Sequence, residues 1–300
     1  MPQLDALRAI SVGMVLFYHF WRPARRYVAF GPIGVRVFFV LSGFLITGIL
    51  LRSRALRDSG STPAAVALRR FYIRRVLRIF PLYYTALAIA WYGHVWGARE
   101  GMAWHAAYLS NVHFFLVNAL RHNQWGGHVS HLWSLSVEEQ FYLVWPWVIL
   151  FAPRRWLPGI ALGVAALGPV FRFVVFGMTG NDVTPILPLG CVDSLALGAY
   201  LAITFAPEYR SHPLVRQIRA PVLWTGALLF AAYQAAALTD GYWMFRTVSF
   251  DLAIALMSVW LVARAAEGMG GVAGRILENR SLRYVGMISY GIYVLHLMLP

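Results

Sequence analysis

The residues in this sequence best suited to chemistry stand where an apolar chain should avoid them. Residues 4–20 (LDALRAISVGMVLFYHF) read as a helix of about one membrane thickness, yet they include Arg8 and His19. Eleven positions at 3.6 residues per turn is about three turns, so both side chains leave one face, roughly 16 Å apart along the axis. An ionisable side chain at the centre of a membrane helix costs about 2.5–3.5 kcal/mol on insertion scales, and it persists where it faces a protein interior or a wet cavity. A cation at one depth and an imidazole at another, in one line, read as a polar track through a membrane. The alternative is a pair of snorkelling side chains, each reaching its own surface.

Three further stretches carry such residues. Residues 69–84 (RRFYIRRVLRIFPLYY) place Arg74, Arg75 and Arg78 at i, i+1 and i+4, on adjoining faces of a helix. Guanidinium groups bind phosphate bidentately, and a helix start at this point would add backbone N–H donors for an anion. The competing reading is a topogenic cluster against anionic lipid headgroups. Residues 131–150 (HLWSLSVEEQFYLVWPWVIL) put Glu138 and Glu139 in the early turns of a helix that Ser134 or Ser136 would cap. The two carboxylates point about 100° apart, so one at most shares a cavity with His19. Glu138, at a matching depth, is expected to orient that imidazole as the carboxylate of a triad does. Residues 31–50 (GPIGVRVFFVLSGFLITGIL) carry glycines that let helices approach closely, with Ser42-Gly43 as a notch. Arg36, Arg172, Asp193, Asp251 and His296 are further ionisable residues in apolar runs, and the two aspartates read as ion-pair partners of arginines. The histidines show no HExxH-type spacing, so no metal site is expected. The single Cys191 allows no disulfide within the chain.

The elements that must hold these residues follow from composition. Of 300 residues, 59% are hydrophobic and 13% charged, where a soluble domain carries about 25% charged residues. Mean hydropathy is +0.60. Apolar runs at 4–21, 33–51, 72–93, 132–151, 157–177, 187–205, 221–239, 245–264 and 284–300 predict an all-α, polytopic transmembrane bundle of about nine to ten spans, one integral domain over 1–300. The first run has no small-residue cleavage site after it and reads as a retained helix rather than a signal peptide. Net charge is +14, and every basic residue is Arg. Basic chains suggest nucleic acid, but here arginines gather in particular loops, as positive-inside topology requires, and no nucleic-acid partner is expected. Residues 52–78 hold eight Arg and one Asp, which places them, and the N-terminus, in the cytoplasm. Residues 102–119 are ambiguous. Were they to cross, the arginines near 154, 216 and 275 would all fall outside; a re-entrant or interfacial segment keeps them inside. The group Arg22, Arg25 and Arg26 disobeys the rule in either case.

Taken together, Arg8-x10-His19, GVRVFFVLSGFLI, FYIRRVLRIFP, HLWSLSVEEQFYL, CVDSLALGAYLA and SYGIYVLHLMLP occur in an order that resembles the integral-membrane acyltransferase 3 family, which includes sugar O-acetyltransferases. The likeness covers essentially the whole chain. It implies a membrane-embedded O-acyltransferase of the bacterial inner membrane, moving an acyl group, acetyl above all, from acyl-coenzyme A to a hydroxyl of a sugar or glycolipid, with no bound cofactor. The family's essential arginine and histidine fall on Arg8 and His19, its RxxR motif on Arg75 and Arg78, and its glutamate on Glu138 or the adjacent Glu139. His19 and Glu138 would then be catalytic, and Arg8, Arg75 and Arg78 would bind acyl-coenzyme A. Family members continue past the SYGIYVLH helix into one more span, so the resemblance implies a final helix beyond these residues. A glycolipid or small-anion transporter, or a non-catalytic member of the family, is the competing expectation; the lack of an internal repeat weighs against a transporter.

Overall fold

The computed structural model describes residues 1–21, 23, 28–96, 98–121, 127, 129–180, 184–209, 211–212, 219–236 and 243–298. Among the described residues the regular elements are all helical: α1 (Pro2–Phe20), α2 (Phe30–Asp58), α3 (Ala64–Tyr92), α4 (Met102–Ala106), α5 (Ser110–Arg121), α6 (Trp133–Phe151), α7 (Leu157–Thr179), α8 (Pro188–Phe205), α9 (Arg219–Ala236), α10 (Trp243–Glu267), α11 (Gly271–Leu277) and α12 (Arg280–Leu295). Among the described residues each run expected to span falls on one of nine longer helices, with 237–239 and 299–300 of two runs outside them. By length and composition, four stretches are long and apolar enough to cross a membrane: Phe30–Asp58, Arg154–Thr179, Pro188–Phe205 and Thr247–Glu267. These do not fix a count of nine to ten crossings. The expected charges of Arg22, Arg25, Arg26, Asp182, Arg210, Arg216 and Asp240, together with His122 and His128, lie outside the described residues.

Close packing is set by glycines. α2 and α8 cross where Gly43 meets the Leu195 carbonyl and Gly198 meets the Val40 carbonyl; a Cβ at either position would collide with backbone. α1 lies between α2 and α12, with Gly34 against the Ser11 carbonyl and Gly286 against the Asp5 carbonyl. Gly286 meets Asp5 at one end of this pair and His296 meets His19 at the other, so α1 and α12 run in the same direction. Asn279 caps α12, its side-chain oxygen accepting from the Ser281 and Leu282 N–H groups at 2.9 and 3.2 Å.

Part of the basic stretch at the end of α2 is structural. Arg54 donates to the Ile149 and Ala152 carbonyls at 2.6 and 2.7 Å, and Arg57 donates to Leu150, so both guanidinium groups satisfy the open C-terminal end of α6. Arg154 reaches back to Asp58 at 2.7 Å.

Residues 102–121 form two short helices rather than one long one. α5 has 12 residues, about 18 Å of rise, well short of a bilayer core of about 30 Å. Polar groups hold the stretch against its neighbours. Ser110 pairs with Ser136 at 2.8 Å, Asn111 exchanges hydrogen bonds with Gln140 at 3.2 and 3.0 Å, and Tyr83 donates to the His105 carbonyl at 2.8 Å.

Two local expectations are corrected. α3 begins at Ala64, about three turns before Arg75, so no free helix-start N–H groups lie beside the arginines. α6 has no side-chain cap: Leu132 occupies that position, Ser134 bonds Tyr293 and the His131 carbonyl, and Ser136 bonds the Leu132 carbonyl and Ser110.

Candidate active site

At the level of Arg8, helices α1, α2, α3, α6 and α12 enclose a cavity of about 140 Å³. Helical spacing brings its polar lining together: Arg75 and Arg78 on one face of α3, and Glu138, Glu139 and Tyr142 on adjoining faces of α6. The Arg75 guanidinium lies 3.7 Å from the centre of the Tyr142 ring, a cation–π contact in a desolvated setting. The Tyr142 hydroxyl is bonded to Ser42 on α2. Glu138 shares this cavity with Arg75, Arg8, Ser42 and Tyr142. Among the described residues Arg75 Nε is buried with no hydrogen-bond partner. A cavity lined by three arginines suits an anionic ligand. Arg8 itself pairs with Asp5 at 3.3 Å, one turn away on α1.

A second cavity, of about 450 Å³, lies at the level of His19. α1 contributes Tyr18 and His19, α2 Arg36, α10 Phe250 and Asp251, the turn before α6 His131, and the start of α6 Trp133. Val35 and Tyr293 line both cavities and form the wall between them. His19 stands in the last turn of α1, and its Nδ1 is 3.0 Å from Nε2 of His296, the residue at the C-terminal cap of α12. His296 Nδ1 donates to the Tyr293 carbonyl at 2.7 Å. His131 packs on His296 with ring centres 4.5 Å apart, and its Nε2 donates to the Val294 carbonyl at 3.0 Å.

All five expected site residues therefore line cavities, divided between two. Arg8, Arg75, Arg78 and Glu138 share the smaller one, with Glu139 beside them, and His19 lines the larger. The expected partnership of Glu138 with His19 is not what the helix packing brings together. His19 has a hydrogen bond with His296, while Glu138 shares the smaller cavity with Arg75, Ser42 and Tyr142. Glu138 lines the cavity at the level of Arg8 and His19 the one at its own level, so the matching depth expected of them is not observed. Sequence reasoning left His296 among generic buried residues and did not single out Tyr290 or Tyr293. Their spacing was a usable signal, since positions 290, 293 and 296 fall at i, i+3 and i+6 on one side of a helix.

The remaining buried charges form a closed group. Arg36 donates to Asp251 at 2.8 Å and Arg172 to Asp193 at 2.8 Å; Arg36 also lies 3.9 Å from Asp193, and Arg172 4.0 Å from Asp251. These ion pairs match the expectation for the two aspartates. No group of three His, Cys, Asp or Glu side chains stands in a metal-binding arrangement among the described residues.

Comparison with known proteins gives a consistent result. The chain is 28% identical over 316 residues to the peptidoglycan O-acetyltransferase OatA of Listeria monocytogenes, an alignment covering 98% of this chain and 48% of that protein. It is 29% identical over 318 residues to YrhL of Bacillus subtilis, provisionally named a peptidoglycan O-acetyltransferase, covering 98% of this chain and 48% of YrhL. A provisionally named O-acetyltransferase of Staphylococcus aureus strain MSSA476 is 26% identical over 313 residues, covering 99% and 50%. The chain thus spans about half the length of the curated relatives it matches. No solved structure matches it. The family model described as an acyltransferase domain matches residues 1–299, and the chain belongs to the acyltransferase 3 family.

Proposed function

We propose that this chain is the membrane-embedded part of an O-acyltransferase that moves an acyl group from acyl-coenzyme A to a hydroxyl of a cell-wall sugar or related glycoconjugate. The names of its relatives point to acetyl as the acyl group and peptidoglycan as the acceptor class. The observation that carries the reading is the pair of adjoining cavities, one lined by Arg8, Arg75 and Arg78, the other by His19 and several aromatic rings, with Val35 and Tyr293 between them. An arginine-lined chamber suits the donor's phosphates and the thioester end of its arm. A larger chamber with Tyr18, Trp133 and Phe250 beside Asp251 suits a saccharide, whose ring faces stack on aromatic side chains while its hydroxyls take hydrogen bonds.

In this reading His19 takes the proton of the acceptor hydroxyl as that oxygen attacks the thioester carbonyl. The carbon–sulfur bond breaks, and coenzyme A leaves as the thiolate, which the proton held on His19 can neutralise. Glu138 aligns Arg75 in the donor chamber instead of orienting the imidazole. A covalent variant has His19 as nucleophile and acyl-histidine as the intermediate. Residues 1–300 act as one integral domain, crossing a bacterial inner membrane nine times from a cytoplasmic N-terminus. Two chambers at different depths would also suit a transporter for a small anion or glycolipid, and the test separates the two.

Membranes carrying the full chain are incubated with radiolabelled acetyl-coenzyme A and a panel of sugar acceptors that includes peptidoglycan fragments. Label is expected on an acceptor, and none with His19→Ala. Full transfer by His19→Ala ends the assignment of the base. Uptake of acceptor without acylation favours the transporter.

A further inference from the structure

We propose that His296 is the positioning residue for His19: it holds the His19 ring as the Nδ1–H tautomer, with Nε2 as the basic nitrogen of the acceptor chamber. The inference rests on the reading of His19 as the base.

The argument is one of donors and acceptors. A carbonyl oxygen only accepts, so the 2.7 Å contact between His296 Nδ1 and the Tyr293 carbonyl requires a hydrogen on that nitrogen. His296 is 4% exposed and packs on His131, so the site holds its neutral form. With Nδ1 protonated, Nε2 of a neutral ring is an acceptor. The 3.0 Å contact with His19 Nδ1 can then form only if His19 donates. The proton of a neutral His19 is thereby committed to Nδ1, and its Nε2 carries the lone pair. The backbone carbonyl of Tyr293, relayed through one imidazole, does what a carboxylate does in a triad: it selects the tautomer and fixes the plane of the base.

The arrangement is supported from several sides. His296 stands at the C-terminal cap of α12 and His19 lies in the last turn of α1, two helices that run in the same direction and are locked where Gly286 meets the Asp5 carbonyl. Tyr293, which supplies the carbonyl, is itself held by hydrogen bonds of its hydroxyl with Ser134 at 2.6 Å and the His131 carbonyl at 3.0 Å. The same residue forms part of the wall between the two cavities, so the relay starts where donor and acceptor must meet.

The test uses the full chain in membranes, with acetyl transfer measured for the wild type, His296→Phe, His296→Gln and His19→Gln. Phenylalanine keeps the ring volume and cannot accept the hydrogen bond; the glutamine amide oxygen can. His296→Phe is expected to lower kcat about 100-fold, with KM for donor and acceptor within about threefold of wild type, and His296→Gln to stay within about tenfold. Spectra of 15N-histidine-labelled protein, with the His19 signal identified by its loss in His19→Gln, should show the Nδ1–H tautomer. Wild-type turnover in His296→Phe, equal losses in both His296 variants, or an Nε2–H tautomer at His19 would overturn the proposal. If His296→Phe does not fold, the glutamine variant and the tautomer still decide. Failure of the base assignment looks different: His19→Gln would then retain full transfer, whatever happens at His296.

Discussion

Arg36, Arg172, Asp193 and Asp251 neutralise one another, with Arg36 and Asp251 at the edge of the larger cavity, whereas Arg8, Arg75, Arg78, Glu138 and Glu139 line the smaller one. In the first group two cations meet two anions, with two contacts of 2.8 Å and two cross-contacts near 4 Å. In the second, among the described residues, no ion pair joins the arginines to the glutamates, and Arg75 rests on the face of Tyr142 with its Nε unsatisfied. Both groups sit in apolar surroundings where charge is costly. The first has met that cost with protein partners and ties α2, α7, α8 and α10 together. The second brings three arginines and two glutamates to one cavity with no ion pair between the two signs among the described residues, which suits a charged ligand.

This contrast can be broken by experiment. The largest effect should come at the chemistry itself: His19→Gln lowers kcat by about 1,000-fold while thermal unfolding of the purified protein is unchanged. Next, Arg172→Leu leaves Asp193 buried and unpaired and should cost about 3–5 kcal/mol of stability, with Arg172→Leu/Asp193→Leu recovering most of it. A double variant as unstable as the single one would mean the closed group is not held by mutual neutralisation. Arg75→Gln and Arg78→Gln should do the reverse, each raising the donor's KM by about 10- to 100-fold with little change in unfolding temperature. An unchanged KM would return these arginines to a topogenic role. The smallest effect belongs to the exposed pair of Arg154 and Asp58, where Arg154→Ala should cost less than about 1 kcal/mol.

The helices were legible in the sequence because apolar runs of membrane length leave few alternatives. Residues 102–119 were legible as an exception through loop charge alone, and Asn111 and Ser110 show why: their hydrogen bonds to Gln140 and Ser136 bind the segment sideways to α6. The site residues were legible as types. Their grouping was not, because Glu138 and His19 line chambers at different depths, and the placement and rotation of a helix are set by packing such as Gly34 against the Ser11 carbonyl, which counting turns does not reveal. The four stretches that pass as membrane-crossing on composition contain none of the five expected site residues. The helices bearing those residues, α1, α3 and α6, carry the polar groups that lower their apolarity, so the chemistry itself blurs the topological signal.

The closed charge group also constrains how the protein is made. Arg172 and Asp193 lie 21 positions apart, on successive helices, and can meet soon after both leave the ribosome. Arg36 and Asp251 are separated by 215 positions, so α2 enters the lipid long before its principal counter-charge has been synthesised. Until α10 arrives, the nascent chain holds a guanidinium at membrane depth with Asp193 as a distant substitute. Biogenesis of this bundle is therefore finished from its C-terminal third, and a translation product that stops before α10 carries an uncompensated cation into the bilayer.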